Sequence, residues 1–458
     1  MLLGINMKTV ERFLNSKLYI SMIVILAGIT FVARGPYQDL NTYLTMFFLV
    51  TFSLLLILFK NTLYTLPIAF ALIYTYNTKN PSLETISEFN IIYMIVIFVL
   101  GGLIIHFIRF RPKPKKGILS YAYIWFAVAY LIPLLYRPFT WTLFQLSIIG
   151  LIYFLIYLFY ISTTSGNKHY ALWVLFGFSL LLVFEMGYHI GLGFFTENLE
   201  LTLRERVSLG MRSSWYNGDF GWANINDVAI HITLLFGAQF YYIIKYKKQI
   251  WFWIFPILTG FIILLSASRG GYISMALSIL IYTILVLRHV DKWGFVNFII
   301  MVITVSVASY FILPVFEEAF EIAIQGGFDD LDQFSSSRIT LYKHALEIFK
   351  DYPLFGGGWE AMTDIGNPDR IQVFHSTIFH TLAVMGSFGL IALGYYFFIS
   401  FKYLLSNRTL IKTLMFVGIL ISQIHGLYDN TMFMLIYTLA TIFIFVLLEN
   451  ELEKADGN

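Results

Sequence analysis

Four ionisable side chains stand out in a chain that is otherwise mostly apolar: Arg269, Arg338, His375 and Asp429. Arg338 opens a stretch in which Ile339, Tyr342, Leu346 and Phe349 recur at helical spacing, with Ser337 as the expected N-cap. Asp351-Tyr352-Pro353 and Gly356-Gly357-Gly358 are expected to end that helix. A cation on the first turn opposes the helix dipole by about 0.3–1 kcal/mol. It is better placed if an anion sits between the guanidinium and the free N–H groups of the helix. Arg269 stands in the turn Ser266–Gly271, where the glycines on its C-terminal side admit a ligand close to the backbone; the alternative is a cation snorkelling to an interface. His375 marks the point where apolar sequence resumes after a long polar segment. Asp429 lies in the turn His425–Asn430, as a helix cap or as a partner in a site. Two further groups share helix faces. Glu185 and His189 (i, i+4) read as a structural pair or a catalytic one, and Asn224, Asp227 and His231 (i, i+3, i+7) as interhelical hydrogen-bonding glue or part of a site.

The elements that must position these residues are membrane helices. Hydrophobic residues make up 58% of the 458, charged residues 12%, and the mean hydropathy is +0.75. A soluble domain of this size could not bury so much apolar surface, so the expected fold is an all-α polytopic membrane protein. About 12–14 transmembrane helices are expected, with a large extracytoplasmic loop carrying a short helix, all in a single polytopic domain over 1–458. Of these runs the third (62–76) and thirteenth (410–425) are short enough to tilt or re-enter. The absence of cysteine excludes a disulfide framework and thiolate metal or redox sites. The basic start (Lys8, Arg12, Lys17) leads into a spanning run without a small-residue cleavage site, so no cleavable signal peptide is expected.

With the N-terminus placed inside, 19 of the 30 basic residues but only 6 of the 27 acidic ones fall on the cytoplasmic side. Both termini are then cytoplasmic. The long polar segments 190–220 and 315–375 are then extracytoplasmic, and the ionisable candidates gather towards the same face. The acidic run Asp329-Asp330-Leu331-Asp332 superficially resembles a nucleotide-sugar metal motif and reads better as a solvated loop.

Taken together, these residues resemble the O-antigen ligase and O-antigen polymerase superfamily of bacterial membrane glycosyltransferases. The resemblance is carried by Ser268-Arg269-Gly270-Gly271 opening a span and by Arg338-Ile-Thr-Leu-Tyr-Lys-His-Ala-Leu346. Tyr352-Pro353-Leu354-Phe355-Gly356 follows, then His375-Ser376 leading into Leu382-Ala-Val-Met-Gly-Ser-Phe-Gly389. Gly221-Trp-Ala-Asn224-Ile-Asn226 is similar to the family's asparagine-rich start of a span, with Ile225 where proline is common; Ser376 stands where the family usually has Asn. The motifs run over 217–430, and their order and spacing are the specific part.

The resemblance implies a metal-independent, cofactor-free enzyme of the plasma (inner) membrane, acting on its extracytoplasmic face. The implied partners are a polyprenyl pyrophosphate-linked glycan donor, a saccharide acceptor, the lipid bilayer and envelope-assembly proteins, with no nucleic acid. Without a metal, cations must neutralise the pyrophosphate, which suits Arg269 and Arg338, with Arg212 as a third. His375 suits a general base, oriented by Asp429. Asn224, Asn226 and Asp227 are the expected substrate-binding residues. Polymerase is the reading preferred here, and ligase-type transfer of finished polysaccharide to a cell-surface acceptor stays open. So does a transporter or flippase for a lipid-linked saccharide, a class whose polar sites tend to lie at the midplane of repeated halves.

Overall fold

The structure, a computed structural model, describes residues 7–34, 37–75, 96–165, 168–194, 205–206, 222, 224–324, 338–364, 367–371 and 373–452. Each apolar run expected to span is helical among those residues. Among the described residues seven helices are long and apolar enough to cross a membrane, and the pair Met7–Leu14 and Lys17–Ala33, bent by 62°, makes an eighth if it is one span. Six more apolar helices are shorter, among them Ser120–Leu135, Ile250–Leu265 and Leu435–Asn450. The sequence pattern singled out only two short runs. Two of the others include 3-10 turns at one end, Ile132–Leu135, containing Pro133, and Ile250–Trp253, which hydropathy does not register. The chain is a multi-pass, all-α membrane protein. Among the described residues its β-structure is one small antiparallel pair, Thr363–Asp364 with Asn367–Ile371.

The chain forms two compact units. The first comprises Met1–Lys113, Thr163–Ile322 and Asn450–Asn458. The helix Lys168–Phe194 runs through its middle, against Lys17–Ala33, Ile225–Leu235 and Ile254–Leu265. Phe70 stacks on Phe178 at 5.2 Å. The Gln239 amide and the Thr259 hydroxyl, both buried, bond each other at 3.0 and 3.1 Å between two packed helices, so neither is left unsatisfied in an apolar core.

The second unit comprises Pro114–Ser162 and Ala323–Glu449. The helix Thr377–Leu405 is its spine, packed on Ser120–Leu131, Arg338–Asp351 and Leu410–His425. At one end Glu449 accepts from the Tyr157 hydroxyl (2.5 Å) and the Ile118 N–H (2.9 Å). Lys412, 2% exposed, donates to the carbonyls of Tyr403 (3.3 Å) and Ser406 (3.2 Å), placing a cation on the C-terminus of the spine helix.

The spine is broken at Gly386, which has φ +62°. The break is filled by the segment that follows the Arg338 helix. Gly357 and Gly358 N–H groups donate to Ala383 (2.7 Å) and Val384 (3.1 Å), while Ser387 and Phe388 N–H groups donate to Pro353 (2.9 Å) and Leu354 (3.0 Å). A side chain at Gly386 would place Cβ 2.6 Å from the Gly356 nitrogen, and one at Gly356 (φ +73°) would lie 2.4 Å from the Val384 carbonyl carbon. Two of the motifs that carried the family resemblance, the Tyr-Pro-Leu-Phe-Gly run and the Leu382–Gly389 run, are therefore the two halves of one backbone pairing. The Tyr136 hydroxyl steadies it by bonding the Phe355 (3.0 Å) and Gly356 (2.8 Å) carbonyls.

Candidate active site

Arg338, His375 and Asp429 meet in the second unit. Arg338 is the first residue of the helix Arg338–Asp351, as its spacing predicts, although Ser337, the expected cap, lies outside the described residues. His375 sits just before the spine helix, and Asp429 in the turn after Leu410–His425. Asp429 Oδ1 lies 3.3 Å from His375 Nδ1, and Asp429 Oδ2 lies 3.4 Å from Arg338 Nη2. Both contacts are long for charge-assisted bonds, as catalytic contacts often are before substrate binds. The Asp429 side chain is only 6% exposed, whereas 37% of the His375 side chain remains accessible. With Nδ1–H donating to Asp429, Nε2 is left as the basic nitrogen.

The turn that carries Asp429 is fastened to the start of the spine. Thr377 N–H donates to the Gly426 carbonyl at 2.9 Å, and the Thr377 hydroxyl bonds both the Thr431 hydroxyl (3.0 Å) and its N–H (3.1 Å). Asp429 Oδ1 also accepts from the Asn430 N–H at 2.8 Å. His375 itself is held in a left-handed backbone conformation, φ +45°, a state that costs of order 1–3 kcal/mol outside glycine. Tyr342 offsets that cost. Its hydroxyl donates to the His375 carbonyl at 3.0 Å while its ring stacks on Phe379 at 4.3 Å. Burial raises the Tyr342 pKa above its ordinary value despite the nearby Arg338 charge, so the phenol remains a donor.

Burial alone would raise the pKa of Asp429, but the hydrogen bond from His375 and the charges of Arg338, His375 and His425 outweigh it and hold the carboxyl below its ordinary value. A depressed carboxyl stabilises the fold above its unfolded pKa of about 4 and loses that contribution as pH falls through the folded value. Asp429→Asn is therefore expected to lower the melting temperature in detergent at pH 7, by a few degrees, with the gap to the parent closing below about pH 4. A gap that stays constant with pH would mean that the ionised form carries none of the stabilisation.

In the first unit the other candidates surround a different turn. Arg269 is the first residue of the helix Arg269–His289, and its N-cap Ser268 accepts from the Gly271 N–H at 2.9 Å. Both candidate arginines thus begin helices, each in its own unit. The residue before the cap, Ala267, is left-handed at φ +52°. Asn224 caps the helix Ile225–Leu235, accepting from Asn226 N–H at 3.0 Å, and Asn226 Oδ1 accepts from the Ser268 hydroxyl at 2.6 Å. The carbonyl of Asp227 takes His231 Nδ1 at 2.7 Å. Glu185, fully buried, accepts from Trp222 Nε1 at 2.7 Å, a partner to which the i, i+4 spacing with His189 does not point. Arg212 and the run Asp329–Asp332 lie outside the described residues.

Tyr342 is the site residue that sequence reasoning missed. It was visible only as one apolar position in a helical stripe, and nothing local marks a phenol that reaches a residue 33 positions later.

Residues 254–394 match the family model described as O-antigen ligase. No curated protein matches the chain. The family match bears out the resemblance to the O-antigen ligase and polymerase superfamily and supports transfer chemistry of that general type in a multi-pass membrane protein. It lends no support to the flippase reading. The matched span includes Arg269, Arg338 and His375; Asp429 lies beyond its end.

Proposed function

We propose that the protein is a surface-polysaccharide polymerase of the plasma membrane that transfers a polyprenyl pyrophosphate-linked glycan to an acceptor sugar hydroxyl on the extracytoplasmic face. The observation that carries the reading is the Arg338–Asp429–His375 constellation beside a family match that spans two of its three members. Asp429 holds His375 in the tautomer whose Nε2 is free to take the proton of the acceptor hydroxyl. The hydroxyl oxygen then bonds the anomeric carbon as the bond from that carbon to the pyrophosphate oxygen breaks, with inversion. The leaving pyrophosphate gains negative charge as the bond breaks, and Arg338 can meet it with two parallel N–H donors. The long contact of Arg338 to Asp429 is readily exchanged for a phosphate. Arg269, with Ser268 and its glycines, forms the anion-binding turn of the first unit. Arginine supplies the charge that a divalent ion would otherwise bring, so no metal is required.

The test uses purified protein, lipid-linked repeat units and excess chelator. A ladder of longer lipid-linked glycans, formed at an unchanged rate in chelator, is the expected result. Transfer only to an acceptor that is not lipid-linked would make the enzyme a ligase. Activity lost in chelator and restored by Mg²⁺ or Mn²⁺ would overturn the metal-free mechanism.

A further inference from the structure

The start of the spine helix holds buried polar atoms that the chemistry above does not use. His380, 1% exposed, lies in the first turn of Thr377–Leu405, boxed in by aromatic side chains. The ring centroids of Phe433, Phe374 and Trp359 lie 4.3, 5.9 and 6.3 Å from its own. The one polar side-chain atom of that box, Trp359 Nε1, already donates to the Tyr130 carbonyl at 3.2 Å. Neither ring nitrogen of His380 bonds any group among the described residues. The same is true of the Ser376 hydroxyl and of Asn430 Oδ1, in residues 1% and 5% exposed.

These three residues converge on one turn of the second unit. Ser376 and His380 stand at i, i+4, on one side of the helix, and the His380 backbone N–H donates to the Ser376 carbonyl at 2.9 Å. Asn430 belongs to a segment that runs along the same turn. Asp429 meets His375, the Thr431 N–H donates to the Thr377 hydroxyl, and Phe433 lies against His380. A neutral imidazole presents one N–H donor and one acceptor nitrogen, a serine hydroxyl both donates and accepts, and an amide oxygen accepts. A hydroxyl group, which gives one hydrogen bond and takes others, is the smallest partner that suits all three. Polar atoms left unpaired in a buried site destabilise a fold, whereas an apolar side chain of similar shape does not. Their retention beside the reactive cluster therefore points to a ligand.

We propose that Ser376, His380 and Asn430 form a hydroxyl-binding site behind the Arg338–Asp429–His375 cluster, occupied by water or by a hydroxyl of the saccharide acceptor. The bound hydroxyl ties the turn that carries Asp429, through the adjoining Asn430, to the spine that begins after His375. The inference rests on the transfer reaction assigned above and adds a second polar site next to its base.

The test compares His380→Leu, which removes the ring nitrogens at similar volume, with His380→Gln, which keeps a donor and an acceptor. His380→Leu is expected to raise the melting temperature in detergent by a few degrees and yet to slow transfer roughly tenfold, the effect of losing one hydrogen bond. A fall in kcat at constant acceptor KM identifies a resident water, and a rise in acceptor KM at constant kcat identifies the acceptor hydroxyl. His380→Gln should restore most of the loss, and Ser376→Ala should reproduce a part of it. A melting temperature that rises with no change in either kinetic constant would make His380 a core residue and overturn the proposal. So would His380→Gln as slow as His380→Leu, since the imidazole itself would then be required. A second readout needs no transfer. With isotope-labelled histidine, solid-state NMR in bilayers should show the His380 ring nitrogens in contact with a water or hydroxyl proton, a signal absent from His380→Leu. No such contact, with or without the saccharide cleaved from the lipid-linked repeat unit, overturns the inference even if transfer is normal. If the contact is present where the parent protein transfers nothing, the enzymatic reading fails and the site stands.

Discussion

His375→Ala is expected to lower turnover by roughly 10²–10⁴-fold, the usual loss when a positioned general base is removed, while donor affinity survives. The residue sits just before a helix that is held from several sides, and its own side chain is partly accessible, so the variant should still fold. The companion substitution Arg338→Lys keeps the charge and loses the two-pronged donor geometry, so it should weaken donor binding and slow transfer together. Transfer rate and donor affinity, measured on each folded variant, separate the two roles. Loss of donor binding in His375→Ala with normal turnover in Arg338→Lys would reverse the assignments. Normal transfer in both would remove the cluster from the chemistry.

Gly386→Ala is expected to cost about 3 kcal/mol or more of stability, because one methyl group must fit into a backbone-to-backbone contact and also tolerate a left-handed φ. The Cβ would lie 2.6 Å from both the Gly356 nitrogen and the Leu354 carbonyl carbon, and neither can rotate away as a side-chain tip could. Gly394→Ala in the same helix is the control, since nothing lies within 4 Å of its Cβ. Thermal unfolding in detergent should show a large drop for the first and little change for the second. Equal melting temperatures would mean that the loop 353–358 does not dock into the helix break.

What is legible in the chain divides along physical lines. The spans are legible because a run of about twenty apolar residues matches the thickness of a bilayer core and little else. Arg338, His375 and Asp429 are legible because ionised groups are rare and costly among such spans. The Arg338 helix is legible down to its end, where the left-handed Gly356 and Gly358 take the conformations that a triple glycine permits. The pairing of residues 353–358 with 383–388 is hidden, since backbone hydrogen bonds between distant segments leave no periodicity. The same limit applies to Asn226. It reads as a substrate ligand, and it supplies the acceptor that holds the Ser268 hydroxyl beside Arg269.

The break at Gly386 also constrains how the protein is made. Carbonyls and N–H groups left open inside a membrane helix cost several kcal/mol each in lipid. Those of Ala383, Val384, Ser387 and Phe388 find their partners in the segment Pro353–Gly358. The helix Thr377–Leu405 therefore cannot settle in the bilayer as an independent span during synthesis. Its settling in the bilayer is coupled to the folding back of Pro353–Gly358, the segment that precedes it in the chain.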